Sequence, residues 1–301
     1  MKNISTLTTE MRNKYSAHID NMSTIDILKT INNEDKTVAY RVEDVLPEIE
    51  AAVELIHQAL VNGGRLFYIG AGTSGRIGIL DAVECPPTYS TPPELVQAII
   101  AGGNNAFIKA VEGAEDNLHL GAKDLEERNV SDKDVVIGIA ASGRTPYVIG
   151  ALQYAKQMGA KTVSLTSNKN AKISVHADVA IEVETGPEVV TGSTRMKAAT
   201  AHKLILNMIT TSTMIKVGKV YENLMVDLKV SNIKLQERAK NIVSTITDVS
   251  YTKAAEVLET TNYEVKPAIV MIKAGVSFQE AKKYIELANG FVRKAIDLAT
   301  K

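Results

Sequence analysis

Cysteine occurs once in the 301 residues, as Cys85, so no intrachain disulfide can form. That fits a reducing compartment. Long hydrophobic runs are also missing. The longest apolar stretches fall well short of the roughly 18 residues that predict a membrane helix. The opening MKNISTLTTEMRNKYSAHID has no apolar segment and no small-residue cleavage site, which predicts no secretory signal and a cytoplasmic setting. Charge of either sign is not in excess. With 34 Lys and Arg against 35 Asp and Glu the net charge is −1. No global field therefore recruits nucleic acid or an anionic membrane, although local geometry can still build an anion site. The five histidines, His18, His57, His119, His176 and His202, show neither H-x-x-H nor H-E-x-x-H spacing. No metal site is expected from them. Cys85 has no paired histidine nearby in the sequence and is read as a small packed residue.

What is present is ordinary for a globular chain: 45% hydrophobic and 23% charged residues. The length suggests roughly two domains of about 150 residues. Residues 44–62 carry apolar side chains at helical spacing and stop at Gly63-Gly64, which predicts an amphipathic helix. Five short apolar runs follow, at 65–72, 95–103, 134–142, 161–167 and 178–186. Helical patterns separate them, including 116–129 and 145–159. Strands that are apolar throughout, alternating with helices, predict a parallel sheet covered on both faces. A long helix is expected from Ser193 to Gly218. From about residue 230 the strand signal ends. Three short helices are expected in SYTKAAEVLETT, EVKPAIVMIKAG and SFQEAKKYIELANG, the last with a Ser277–Glu280 capping box and an Asn289-Gly290 stop.

Gly70-Ala71-Gly72-Thr73-Ser74-Gly75 fits G-x-G-x-x-G, the dinucleotide fingerprint. That fingerprint needs an Asp or Glu at the end of the next strand. The next strand ends in Gly102-Gly103-Asn104-Asn105, and Cys85-Pro86-Pro87 is expected to end the intervening helix early. No Walker loop occurs either. The loop instead has an internal echo. Gly70 to Arg76 aligns with Gly138 to Arg144 at a constant offset of 68 residues. Both stretches follow a strand and precede a helix. Thr73 and Ser74 at one corner, with Ser142 and Thr145 at the other, lie where open α/β sheets bind ligands. Hydroxyls and helix N-termini converging on one spot suit a phosphate. The plainer reading is that these hydroxyls only cap helices.

Three acidic positions stand out nearby. Glu84 precedes Cys85-Pro86-Pro87, at the expected end of its helix. Glu112 and Glu115 are three apart, with Asp116 beside them, and would share a face of a helix. Each can be an ordinary solvated carboxylate. General acid/base work on one bond, by contrast, calls for two carboxyl groups flanking it.

Four segments together, YIGAGTSGRIGILDAVECPPTY, AVEGAED, GIAASGRTPYV and GPEVVTGSTRMKAATAHK, resemble the N-acetylmuramic acid 6-phosphate etherases of the sugar isomerase (SIS) superfamily. The likeness runs from TEMRN and IDNMST to the C-terminal helices. It implies an α/β fold: one SIS domain with a flavodoxin-like parallel sheet of about five strands and helices on both faces, plus a small C-terminal helical subdomain. The implied division is an N-terminal helical segment at 1–45, the SIS domain at 46–228 and a three-helix, UBA-like subdomain at 229–301. It implies a cytoplasmic, cofactor-free enzyme of cell-wall recycling, a homodimer with its site near the subunit interface. The enzyme would cleave the D-lactyl ether of N-acetylmuramate 6-phosphate by elimination and then hydration. Glu84 falls on the family's proton donor and Glu115 on its partner acid/base. Thr73, Ser74, Ser142 and Thr145 fall on the phosphate site, and Glu188, Ser193 and Lys197 on the remaining pocket wall. Ala140 stands where many SIS loops carry a serine, a variation the etherases share. Two rival functions use the same fold: a sugar-phosphate-sensing regulator of the glucokinase regulatory protein type, and a phosphosugar isomerase.

Overall fold

The computed structural model describes residues 7–109, 111, 113–228, 230 and 232–301. Glu112 lies outside the described residues. The chain divides into two compact units. One runs as far as Val83 and resumes at Glu94–Thr210; the other comprises Glu84–Pro93 and Thr211–Lys301.

The first unit is built on five strands: β1 (Leu66–Gly70), β2 (Val96–Ile100), β3 (Val135–Ile139), β4 (Lys161–Thr166) and β5 (Val179–Glu182). They form one sheet in the order β2-β1-β3-β4-β5, and every pairing is parallel. Every residue of β1 and β3 is buried, which is why both read as unbroken apolar runs. The sheet follows α1 (Thr24–Asp35), α2 (Val38–Glu43) and α3 (Leu46–Val61). In α3, Pro47 sits in the first turn and Ile49, Ala52, Val53 and Ile56 form the buried stripe. It ends where Gly63 turns to φ +79°.

The remaining helices of this unit are α4 (Gly72–Tyr89), which continues into the second unit, α5 (Asn105–Ile108), α6 (Leu118–Glu126), α7 (Pro146–Gln157) and α8 (Lys197–Lys216). Phe67, Ile69 and Val136 pack on one sheet face with Leu125, Tyr147, Val148 and Leu152 of α6 and α7. On the other face Tyr68 donates to Asp81 of α4 at 2.8 Å. Asp81 also accepts from Asn207 at 2.7 Å and Thr210 at 3.1 Å, both on α8. Burial pushes the Asp81 carboxyl above its ordinary pKa even so.

Two expectations change here. The helix carrying Glu84 does not end at Pro86-Pro87; both prolines lie inside α4. A proline removes its own N–H bond but imposes a helical φ. The helix therefore closes one more turn, with Ser90 N donating to Pro86 O at 3.0 Å. The long helix begins at Lys197, four residues after Ser193, because its cap is not local. Glu188 accepts from the backbone of Lys197 at 3.0 Å and of Ala198 at 2.9 Å.

The second unit holds a two-stranded hairpin, β6 (Val220–Tyr221) with β7 (Leu224–Met225), and five helices: α9 (Ile233–Thr247), α10 (Tyr251–Thr260), α11 (Val265–Ala274), α12 (Phe278–Leu287) and α13 (Val292–Ala299). The three expected helices are α10, α11 and α12, and α9 and α13 flank them. Ser277 and Glu280 cap each other at the start of α12. Asn289-Gly290 ends α12 but leaves room for α13, whose Val292 and Ala295 join the core of Ala239, Val243, Leu258 and Ile269. Among the described residues no helix is long and apolar enough to cross a membrane.

Candidate active site

β1 and β3 are neighbours in the sheet, and their connections leave in opposite directions, to β2 and to β4. That makes their C-terminal ends the switch point where open α/β sheets form a crevice. Both echoing Gly-rich segments sit there, but they are not copies of one turn. Gly70 pairs with Ile139, an offset one residue from the sequence echo. Only Ala71 separates β1 from α4, whereas six residues separate β3 from α7.

At the first corner the glycines serve close packing. A Cβ on Gly75 would stand 2.6 Å from Ile100 Cγ1 and 2.7 Å from Gly70 O. α4 therefore starts directly against the sheet, with Thr73 and Ser74 in its first turn. Arg76 is turned to backbone carbonyls. It donates to Ala106 O at 2.7 Å and Phe107 O at 3.0 Å, pinning the segment that leads to Glu115. At the second corner Gly143 N donates to Ala140 O at 2.9 Å, and Ser142 Oγ accepts from Arg144 N at 3.3 Å. Thr145 is the N-cap of α7 yet makes no side-chain cap bond. Its hydroxyl is thus not committed to capping.

Thr73, Ser74, Ser142, Thr145 and Glu115 line one cavity of about 200 Å³. Glu115 lies in a 3-10 turn, Ala114–Asp116, just before α6. Glu10, Thr194 and His202 also line it; all three lie in segments that carry the family resemblance, yet none was singled out as a site residue. Among the described residues lining this cavity there is no Lys or Arg. An anion here would rest on hydroxyls, backbone N–H groups and the positive ends of α4 and α7.

The other expected site residues lie elsewhere. Glu188 is fully buried as the cap of α8, its pKa raised by burial against the pull of two backbone N–H groups. Lys197 is 3% exposed, and its Nζ donates to Glu34 at 2.5 Å. It lines a second cavity of about 390 Å³ with Arg41, Glu184 and Thr185. Ser193 is half-buried in the turn between Gly192 and Thr194, outside both linings. Glu84 is the first residue of the second unit and is exposed on α4. Cys85 beside it is buried.

His202 of α8 is 1% exposed, with Nε2 3.1 Å from Ser167 Oγ. Burial pushes its pKa down to about 4, so the ring is neutral near pH 7. The folded pKa lies below the value of about 6.5 for an unfolded chain, so the unfolded state takes up the proton first. Unfolding free energy is therefore expected to drop by roughly 3 kcal/mol as pH falls from about 6.5 to about 4. Urea titrations across that range should show it, and His202→Gln should flatten that part of the profile. An unchanged profile in the variant would remove His202 as its source.

Three family models match the chain: the glucokinase regulatory protein N-terminal SIS domain over residues 48–156, the SIS domain over 118–212, and the C-terminal lid domain of glucokinase regulatory protein over 222–269. Among curated proteins, N-acetylmuramic acid 6-phosphate etherase 1 of Bacillus licheniformis is 57% identical, covering 99% of this chain and 98% of that one. The N-acetylmuramic acid 6-phosphate etherases of Bacillus subtilis and Clostridioides difficile are 55% and 54% identical, each covering 98% of this chain and 97% of the relative. Among solved structures, phosphoheptose isomerase from Neisseria gonorrhoeae aligns at TM-score 0.51 and 21% identity, over 64% of this chain and 98% of that one.

Proposed function

Because this chain belongs to the N-acetylmuramic acid 6-phosphate etherase family, we propose that it cleaves the D-lactyl ether of N-acetylmuramate 6-phosphate, giving N-acetylglucosamine 6-phosphate and D-lactate. The observation that carries this reading is identity of 54–57% to etherases over nearly the whole length. An isomerase is not favoured, since the isomerase structure is 21% identical and shares the fold alone. Nor is a sensor favoured, since the full-length relatives are etherases.

The chemistry is a carbon–oxygen lyase reaction followed by hydration. In the open-chain sugar the C1 aldehyde acidifies the C2 proton. A carboxylate takes that proton, the electron pair forms the C2–C3 double bond, and the C3–O ether bond breaks. The leaving lactate oxygen takes a proton from an acid. Water then adds at C3 and a proton returns to C2, so one water is consumed. Glu115 and Glu84 are the acid/base pair in this reading, with Glu84 the proton donor. What supports Glu115 is its place in the cavity of Thr73, Ser74, Ser142 and Thr145. Those four hydroxyls and the N-termini of α4 and α7 hold the 6-phosphate, which fixes the sugar for proton transfer. Glu188, Ser193 and Lys197 are assigned to the remaining pocket wall by the family resemblance alone, since none of them lines this cavity. The same reading makes the protein a cytoplasmic homodimer of peptidoglycan recycling, its cavity near the subunit interface. Family membership supports these properties, together with the single cysteine.

The test is the fate of solvent atoms. In ¹⁸O-labelled water the route places the label at the C3 hydroxyl of N-acetylglucosamine 6-phosphate and none at the C2 hydroxyl of lactate. In deuterated water it places deuterium at C2 of the sugar. Label at that lactate hydroxyl would mean displacement at the lactate carbon and would exclude elimination at the sugar.

A further inference from the structure

The residues before α1 are bound to the turn after β4 and to the loop that leads into α8. Thr8 N donates to Asn168 Oδ1 at 2.8 Å, and Asn168 Nδ2 donates to Thr9 Oγ1 at 3.2 Å. Gly192 N donates to Thr9 O at 3.2 Å. Asn13 Nδ2 reaches Pro187 O at 3.2 Å and Ser16 Oγ reaches Val189 O at 2.7 Å. Thr9 is fully buried by these contacts. The next residue, Glu10, is half-buried and lines the hydroxyl cavity with Glu115. Its Oε2 lies 3.4 Å from where a Cβ on Gly192 would stand, and Gly192 has φ +78°. The strap thus holds a carboxylate over a glycine at the cavity wall. Among the described residues Glu10 has no ion-pair partner, and no Lys or Arg lines the cavity to neutralise it.

We infer that Glu10 is a substrate-binding residue of this cavity, its carboxylate accepting hydrogen bonds from hydroxyl or amide N–H groups of the sugar while the hydroxyl corners take the phosphate. The inference rests on the phosphosugar reading of the cavity. Its logic is electrostatic. A carboxylate repels a phosphate dianion, so it gains nothing from that end of the ligand. It gains from neutral donors, because hydrogen bonds to a charged acceptor are the strong ones. Glu10 therefore favours a polyhydroxylated or N-acylated sugar phosphate over inorganic phosphate.

Calorimetric titration of wild type and Glu10→Gln tests this with two probes, N-acetylglucosamine 6-phosphate and inorganic phosphate. The expected result is opposite behaviour: sugar-phosphate affinity falls about tenfold or more, while phosphate affinity stays the same or rises. Gly192→Ala, strained at φ +78° in the segment that Thr9 binds and Glu10 overlies, should weaken sugar-phosphate binding in the same sense. Equal loss of both ligands in Glu10→Gln would mean a structural role, and sugar-phosphate affinity within twofold of wild type would mean no role; either overturns the inference. Lactate release by the same wild-type preparation separately reports on the etherase reading, so the two can fail independently.

Discussion

Glu84→Gln and Glu115→Gln are each expected to lower the rate of D-lactate release by about 10²-fold or more, the usual contribution of a general acid or base. Glutamine keeps the shape of glutamate but neither gives nor takes a proton near neutral pH. Glu115 is exposed in a short turn and Glu84 is exposed on a helix, so neither change disturbs packing. Both variants should stay within about 0.5 kcal/mol of wild-type stability. Loss of rate with retained fold and retained sugar-phosphate binding separates a catalytic role from a structural one. The measurements are kcat and KM for both variants beside a denaturation curve. A loss smaller than tenfold in either variant removes that residue from the acid/base pair.

Gly143→Ala should damage stability and binding together. Gly143 has φ +66°, where a side chain costs roughly 1–2 kcal/mol. The added Cβ would also stand 2.4 Å from Ala171 Cβ and 2.7 Å from Thr166 Oγ1, so the backbone must shift. Such overpacking adds about 1–3 kcal/mol. The shift falls between Ser142 and Thr145, two of the hydroxyl residues that line the cavity. A total loss of about 2–5 kcal/mol is expected, with KM for the sugar phosphate raised tenfold or more. Gly72→Ala is the control. Gly72 has φ +54° but nothing within 4 Å of a new Cβ, so only the backbone cost remains. Equal, small effects of the two substitutions, read by thermal denaturation and initial rates, would contradict this account of the second corner.

The sheet was legible because β1 and β3 are buried on both faces, which leaves unbroken apolar runs in the chain. The two corners were legible for a related reason: short Gly-rich turns with hydroxyls must follow such strands if helices are to start against them. What sequence pattern missed depends on distant partners. The start of α8 is set by Glu188, nine residues upstream, and not by a serine in place. Pro86 and Pro87 read as a stop, yet their φ suits a helix, and α4 runs on to Tyr89. The corners looked like a repeat, but the register of β1 against β3 and the longer second turn make them different. Glu10 reaches the cavity through hydrogen bonds spanning about 160 residues, from Thr8 to Asn168. His202 joins it from the middle of a helix in which nothing local marks it. Thr73, Ser74, Ser142 and Thr145 could be grouped from the two echoing corners, whereas the place of Glu115 beside them was implied only by the family resemblance.

The most direct test of the central claim is D-lactate release from N-acetylmuramate 6-phosphate by the purified wild-type protein. The account predicts one D-lactate and one N-acetylglucosamine 6-phosphate per substrate consumed. Binding of the sugar phosphate without lactate release would contradict it, and would turn the cavity over to a sensor or an isomerase.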